Sequence, residues 1–452
     1  MAHPVEQERA EHLDRGMSLW GAVSTNLLNM VGVGPFLTIP LALAAMGGPQ
    51  AMLGWLLGAV LALCDGMVWA ELGSRMPNSG GSYHYLLEAY GRNGAGRLFA
   101  FLFLWQALLI GPISIASGAV GFAEYSAVFH PLTAVQMKLI AAVLCLVNLA
   151  VLYRSIQSIS TLSIVVMIAV LATCVWIIFT GVAHFHASLA FDLPPHAFQM
   201  SHSFWIGLGS SVLIATYDYG GYNNVCLIGG EIKEPRRNVP RAVLLSIVIV
   251  ACLYLAMNLA VLGVLPWREA QHSKAIVADF MRAAQGSLAA RVVTILILVA
   301  SWGSTFAILL GYSRVPYAAA ADGRFPQIFA RIHPTGHFPT VSLLYMGLAS
   351  VAMCIFSLAD LISALIIIQT LLQTIGQCIA VMLLRRRSTF VKGVFQMPLY
   401  PLPALAALVG WIFIIATGEI KHIAAGLVLA VAGIGCYLII AVRQREWPFR
   451  QA

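Results

Sequence analysis

Twelve stretches of this sequence are apolar for long enough to cross a lipid bilayer. They run approximately over 18–46, 51–73, 97–123, 133–153, 158–182, 203–229, 241–265, 291–319, 341–358, 360–384, 399–417 and 422–442. About twenty apolar residues in a helix span the hydrocarbon core. Inside that core no water satisfies the backbone, so segments of this kind must close their hydrogen bonds within helices. The expectation is an all-α integral membrane protein of about twelve transmembrane helices. Composition agrees: of 452 residues, 60% are hydrophobic and only 10% charged.

An even number of crossings puts both termini on one side. With the N-terminus inside, 20 of the 26 Lys and Arg residues fall on the inner side, among them Arg9, Arg75, Arg236, Arg314, Arg385, Lys392 and Arg450. That asymmetry predicts an inner (plasma) membrane protein with two cytoplasmic tails, 1–17 and 443–452. The net charge of +8 therefore reports topology, and no nucleic-acid partner is expected. The polar N-terminal segment carries no signal-peptide pattern. The eight cysteines lie in apolar runs without metal-site spacing and read as small core residues. His184, His186, His196 and His202 share one outer loop, but their irregular spacing around Pro194-Pro195 favours a solvated loop over a metal site. Neither a metal nor a cofactor is expected. Residues 83–90 and the outer segment within 266–290 show helical periodicity and read as interfacial helices.

Two of the twelve stretches are interrupted. The first contains Gly32-Val33-Gly34-Pro35, and the sixth contains Tyr217-Asp218-Tyr219-Gly220-Gly221-Tyr222-Asn223-Asn224. Glycine is a poor helix former, and proline removes an amide donor. A broken helix survives at membrane depth only where protein or a cavity surrounds it. Matching interruptions in two halves point to inverted repeats with a binding site near the midplane, here 18–182 and 203–384, with 399–442 outside them. Freed amides at a half-helix start suit an anion, and freed carbonyls suit a cation. A kinked span with no ligand is the plainer alternative. Asp218 is an acid at mid-membrane, a candidate for binding a cation or carrying a proton, with a structural acid bonded to freed amides as the alternative.

Four further stretches carry a resemblance. Pro77-Asn78-Ser79-Gly80-Gly81-Ser82-Tyr83-His84-Tyr85 with Glu88-Ala89-Tyr90-Gly91 resembles a P-x-x-GG-x-Y-x-Y…E-x-x-G signature. Gly230-Glu231-Ile232-Lys233-Glu234-Pro235 through Pro240-Arg241-Ala242 resembles an E-x-x-x-P-x-x-x-x-P-x-A signature. Ser313-Arg314 to Pro326 with Pro339-Thr340, and Leu384-Arg385-Arg386-Arg387 with Met397-Pro398-Leu399-Tyr400-Pro401, resemble two later stretches. Together they make the chain similar to the amino acid–polyamine–organocation superfamily, which has the LeuT-type fold of two inverted five-helix repeats plus two helices.

The resemblance implies an amino-acid permease or exchanger working by alternating access, not an enzyme. It puts a substrate carboxylate on the amides of Val33 and Gly34, with Gly32 allowing close approach. It puts the α-ammonium on carbonyls near Asn29, Met30, Tyr217 and Tyr219, and makes Tyr217 the gate. Asp218, Gly220, Gly221, Asn223, Trp105 and Ser301 complete the expected substrate site, and Gln106, Gln369 and Gln373 are further polar points on site-lining spans. Where the family reads G-S-G, this chain reads Gly32-Val33-Gly34-Pro35. Pro35 has no amide to donate, and a polyamine-transporting branch carries a similar G-P-F, so amino acid and polyamine or other organic cation both remain open. A transporter-like sensor is the reading from another class, disfavoured by the short tails. The fifth stretch has no Lys or Arg to replace a coupling ion, leaving sodium at Ser304 or Thr305, a proton at Asp218, or no coupling. No cysteine lies in 124–133, so no covalently linked heavy subunit is expected. The partners expected are a small-molecule substrate, the lipid bilayer and a coupling ion, H+ or Na+.

Overall fold

The computed structural model describes residues 15–154, 156–387 and 393–449, with backbone alone for 156, 157, 359, 360, 363 and 444. Expectations resting on Arg9, Lys392 and Arg450 lie outside them. Each of the twelve apolar stretches holds a helix. The first span is Leu19–Met30, Gly34–Leu37 and Ile39–Met46. The second to fifth are Met52–Arg75, Gly96–Ser126, Ala134–Val151 and Ile156–Ala183. The sixth is His202–Tyr219 followed by Asn224–Leu227. The seventh to ninth are Pro235–Leu262, Ser287–Tyr312 and Thr340–Met353. The tenth is Leu358–Gln369 and Ile375–Arg387, joined by a π-helical turn over Thr370–Thr374. Leu402–Ala416 and Ile420–Gln444 are the last two. Among the described residues, eight helices are long and apolar enough to cross a membrane, or nine counting the bent first span as one. The ninth and eleventh spans are shorter, at 14 and 15 residues.

Local chemistry fixes several ends. Ser18 caps the first helix by accepting from the Gly21 amide, Thr133 and Gln136 form a capping box, and Ser201 accepts from Phe204. Pro235 opens the seventh helix, where a missing amide costs nothing. Large apolar side chains point outward, as at Val135, Phe179 and Val431. That is the surface a lipid environment solvates.

The spans pack in a recurring pattern. The second lies along the seventh, the third along the eighth and the fourth along the ninth, while the first and sixth cross at their breaks. The fifth packs against the first, seventh and eighth; the tenth packs against the sixth, second and third. Shifting each partner by five spans maps one list onto the other. Two loop helices depart from expectation. Ser82–Ala89 buries Tyr83, Tyr85, Leu86 and Leu87 against the third and tenth spans, and Ile276–Gln285 buries Ile276, Val277, Phe280 and Met281 against the fifth and eighth. Their apolar faces are covered by protein rather than lying in a membrane interface.

Both ends of the chain as described sit at one end of the bundle, where Arg97 pairs with Glu446 at 2.5 Å. That end is laced by buried ion pairs. Arg314 makes a two-pronged contact with Glu231 at 2.6 and 2.9 Å, both side chains 1% exposed. Arg385 does the same with Glu71, which also accepts from the Met397 amide. The sequence alone suggests for Glu231 either an inner-gate pair with Arg237 or Arg75 or a place in a solvated charge cluster. Arg237 instead sits on the exposed start of the seventh span beside Glu234, and Arg75 lies against Glu71. Removing one partner of a buried pair strands the other charge. Glu231→Gln should therefore lower stability by about 3–5 kcal/mol, seen as a lower melting temperature in detergent, and Arg314→Met added to it should recover part of the loss.

Candidate functional site

The first break is an unwinding followed by a bend. Helix ends at Met30; Val31 (φ −92°, ψ 67°) returns its amide to Leu27 at 2.7 Å, and residues 31–33 are not helical. The amides of Gly32, Val33 and Gly34 have no hydrogen-bond partner among the described residues. A second bend at Thr38 turns Ile39–Met46 by 56° from the preceding part. Gly32 lies where a Cβ would meet the Ser304 hydroxyl at 2.7 Å, so close approach to the eighth span requires glycine there.

The second break faces it. Helix ends at Tyr219, Gly220 is extended, and Gly221 has φ +114°. A Cβ on Gly221 would lie 2.7–3.0 Å from three atoms of Asn29, so the two breaks touch backbone to side chain. Asn26 ties them: its Nδ2 donates to the Tyr222 carbonyl at 2.6 Å, and its Oδ1 accepts from the Val225 amide at 2.9 Å. The freed carbonyls of the first break are also held. Tyr254 donates to the Met30 carbonyl at 2.7 Å, and Ser304 donates to that of Asn29 at 3.3 Å.

Between the breaks lies a cavity that opens in part to solvent. Of the residues singled out from sequence, Asn29, Met30, Gly32, Val33, Gly34, Tyr217, Asp218, Gly220, Gly221, Asn223, Ser304 and Gln369 line it. Asp218 is 2% exposed; Thr38 donates to its Oδ2, while Oδ1 has no partner among the described residues and lies against Gly34. The Tyr217 hydroxyl is 3.3 Å from that of Ser117. The opposite wall comes from Ser114 and Ser117 of the third span, Tyr312 of the eighth, and Thr370 and Thr374 of the π turn. At the termini-bearing end, backbone bonds between Met17 and the Glu231–Lys233 strip join the start of the first span to the end of the sixth.

Four expected residues point elsewhere. Trp105 donates to the Leu429 carbonyl at 3.2 Å and packs on the twelfth span. Ser301 donates to the Gly118 carbonyl, stitching the eighth span to the third. Thr305 donates to the Ser301 and Trp302 carbonyls and accepts from Asn148 at 2.6 Å. Tyr219 is buried between Trp55 and Tyr254. None of the four is among the residues that line the cavity; the side chains of Trp105, Ser301 and Thr305 face neighbouring spans, which periodicity in uniformly apolar spans does not reveal, while the expectation for Tyr219 concerned its carbonyl. Gln106 and Gln373 hydrogen-bond each other at 2.8 Å, and Gln373 reaches Ser82. Among the cavity residues that sequence reasoning missed are Ser114, Ser117, Thr370 and Thr374, single hydroxyls indistinguishable from helix-packing residues. Asp65, whose place toward the inner end of the second span reads from sequence as a helix-end or gating contact, also lines the cavity.

Residues 17–440 match the amino acid permease family. The chain belongs to that family. It is 24% identical over 449 residues to the serine/threonine exchanger SteT of Bacillus subtilis, covering 96% of this permease and 98% of the exchanger. It is 30% identical over 351 residues to uncharacterized transporters of Mycobacterium tuberculosis and Mycobacterium bovis, covering 77% of this chain and 75% of theirs. The permease is thus a multi-pass membrane transporter and not an enzyme. Because Trp105 faces the twelfth span, Trp105→Phe should leave the KM for substrate uptake within about twofold of wild type, as measured in proteoliposomes. Gly221→Ala, which forces a side chain into a positive φ against Asn29, should cost about 1–3 kcal/mol of stability.

Proposed function

We propose that this permease carries an amino acid across the membrane by alternating access, holding it between the two breaks. The observation that carries this reading is that three amides without a partner among the described residues, at Gly32, Val33 and Gly34, line one cavity together with the Asp218 oxygen that lies against Gly34. The amides suit a carboxylate and the acid suits a positive group, so a zwitterion fits both ends. Tyr217, beside Asp218 and near Ser117, closes over the bound molecule. The two five-helix repeats, 18–182 and 203–384, rock about the breaks while 399–442 stays outside them. The recurring packing of the spans supports that division.

The tails face the cytoplasm of the plasma membrane, in keeping with the excess of Lys and Arg on that side. The Bacillus relative is named a serine/threonine exchanger, which favours exchange of small amino acids here. A second reading, transport of a cationic amino acid or polyamine, is favoured by Asp218 itself and by Pro35, which removes an amide from the anion cradle. Sodium at Ser304 is a further ionic option, since Ser304 lines the cavity whereas Thr305 is set back from it and already accepts from Asn148.

Uptake of radiolabelled serine, leucine, arginine and putrescine into proteoliposomes, with and without sodium and a pH gradient, separates these readings. Gly34→Leu places a side chain against the Asp218 carboxylate and should abolish uptake, at least tenfold down, while the protein still inserts. Full uptake by that variant would remove the substrate from this turn. Asp218→Asn should weaken a cationic substrate by about 2 kcal/mol, roughly 30-fold, and a neutral one far less.

A further inference from the structure

A second acid, Asp65, lies buried in the second span outside the contacts assigned to substrate. It is 1% exposed and reaches the cavity wall behind Tyr222. Tyr222 Oη donates to its Oδ2 at 2.6 Å, Trp411 Nε1 donates to its Oδ1 at 3.2 Å, and Cys378 Sγ lies 3.9 Å from Oδ1. These come from the sixth, eleventh and tenth spans. Cys64 is the titratable neighbour on its own helix. Among the described residues no Lys, Arg or His forms an ion pair with it. Two other buried acids, Glu71 and Glu231, are each paired with an arginine. A carboxylate stripped of water without a cation costs several kcal/mol, and intramembrane acids of this kind mark proton paths.

Its position ties it to the moving part. Tyr222 follows immediately after Gly220-Gly221, where the sixth span breaks, and its carbonyl is gripped by Asn26 of the first. A swing of the sixth span's second half about those glycines withdraws the tyrosine hydroxyl from Asp65 and admits water in its place.

We propose that Asp65 is a proton-binding site that couples substrate transport to the pH gradient, a role that rests on the alternating-access reading above. With Tyr222 docked, the carboxyl holds its proton as a neutral acid. When the half-helix swings away, the carboxylic acid gives that proton to water, forming carboxylate and hydronium. Rebinding reverses the step; no other bond changes. One proton then travels with each substrate molecule.

The test uses the full-length permease in liposomes loaded with a pH-sensitive dye, with serine and arginine as probes. Wild type should acidify the lumen as substrate enters and accumulate it about tenfold per unit of inward pH gradient. Asp65→Asn should lose lumen acidification and gradient-driven accumulation while retaining counterflow of substrate between equal concentrations. Asp65→Glu, which keeps a carboxyl, should retain coupling with a displaced pH profile, and Tyr222→Phe should displace the profile without abolishing coupling. Acidification and accumulation unchanged in Asp65→Asn would overturn the proposal. So would wild-type counterflow without any proton movement, which leaves the alternating-access reading standing. Absence of wild-type counterflow for either probe would instead remove that reading, and the proton role with it.

Discussion

A backbone that stops being helical inside a bilayer leaves amides and carbonyls that water does not reach, each costing about 1–3 kcal/mol if left bare. Here the broken segments meet those needs from each other and from their neighbours. Asn26 satisfies one carbonyl and one amide of the sixth span from the first, and Tyr254 and Ser304 satisfy carbonyls of the first from the seventh and eighth. The groups left over are not scattered. Among the described residues, those bordering the cavity include the amides of residues 32–34 and of 221–223, one oxygen of Asp218, the Thr216 hydroxyl and the side-chain carbonyl oxygen of Asn224. Everything else in the site depends on that selective satisfaction.

Charge is distributed by the same logic. At the termini-bearing end, Glu71 and Glu231 are locked to Arg385 and Arg314 by paired hydrogen bonds. Such pairs are weak as net stabilisers but strongly oppose any arrangement that parts them, so they specify how spans two, six, eight and ten meet. Among the described residues, the polar partners of Asp218 and Asp65 around the cavity are hydroxyl, indole and thiol groups. An acid in that setting is free to take a cation or a proton, which is the chemistry a transport cycle needs and a rigid scaffold does not.

Much of this was legible in the sequence because it depends on local chemistry. Twelve apolar stretches dictate the helices, and Gly32-Val33-Gly34-Pro35 and Gly220-Gly221 locate the breaks to within a residue or two. The second bend at Thr38, just ahead of Pro40, has the same kind of cause. What was not legible depends on which way a side chain faces across long distances in the chain. Trp105 and Ser301 sit on site-forming helices yet turn toward the twelfth and third spans. Arg314, rather than a nearer arginine, reaches Glu231, because the end of the eighth span passes under the sixth. Asp65 reads as a helix-end or gating acid until Tyr222 and Trp411, 157 and 346 residues away, close over it. In spans that are apolar on every face, no periodicity tells the inward side from the outward one.

The central claim is that bare main-chain groups at two facing breaks hold the substrate. An experimental density map of the permease with bound serine or arginine tests it most directly. The account predicts the ligand's carboxylate within hydrogen-bonding distance of the amides at residues 32–34 and its positive group toward Asp218, with both spans interrupted. Density for the ligand at another place, or for unbroken helices through Gly32 and Gly221, would contradict it.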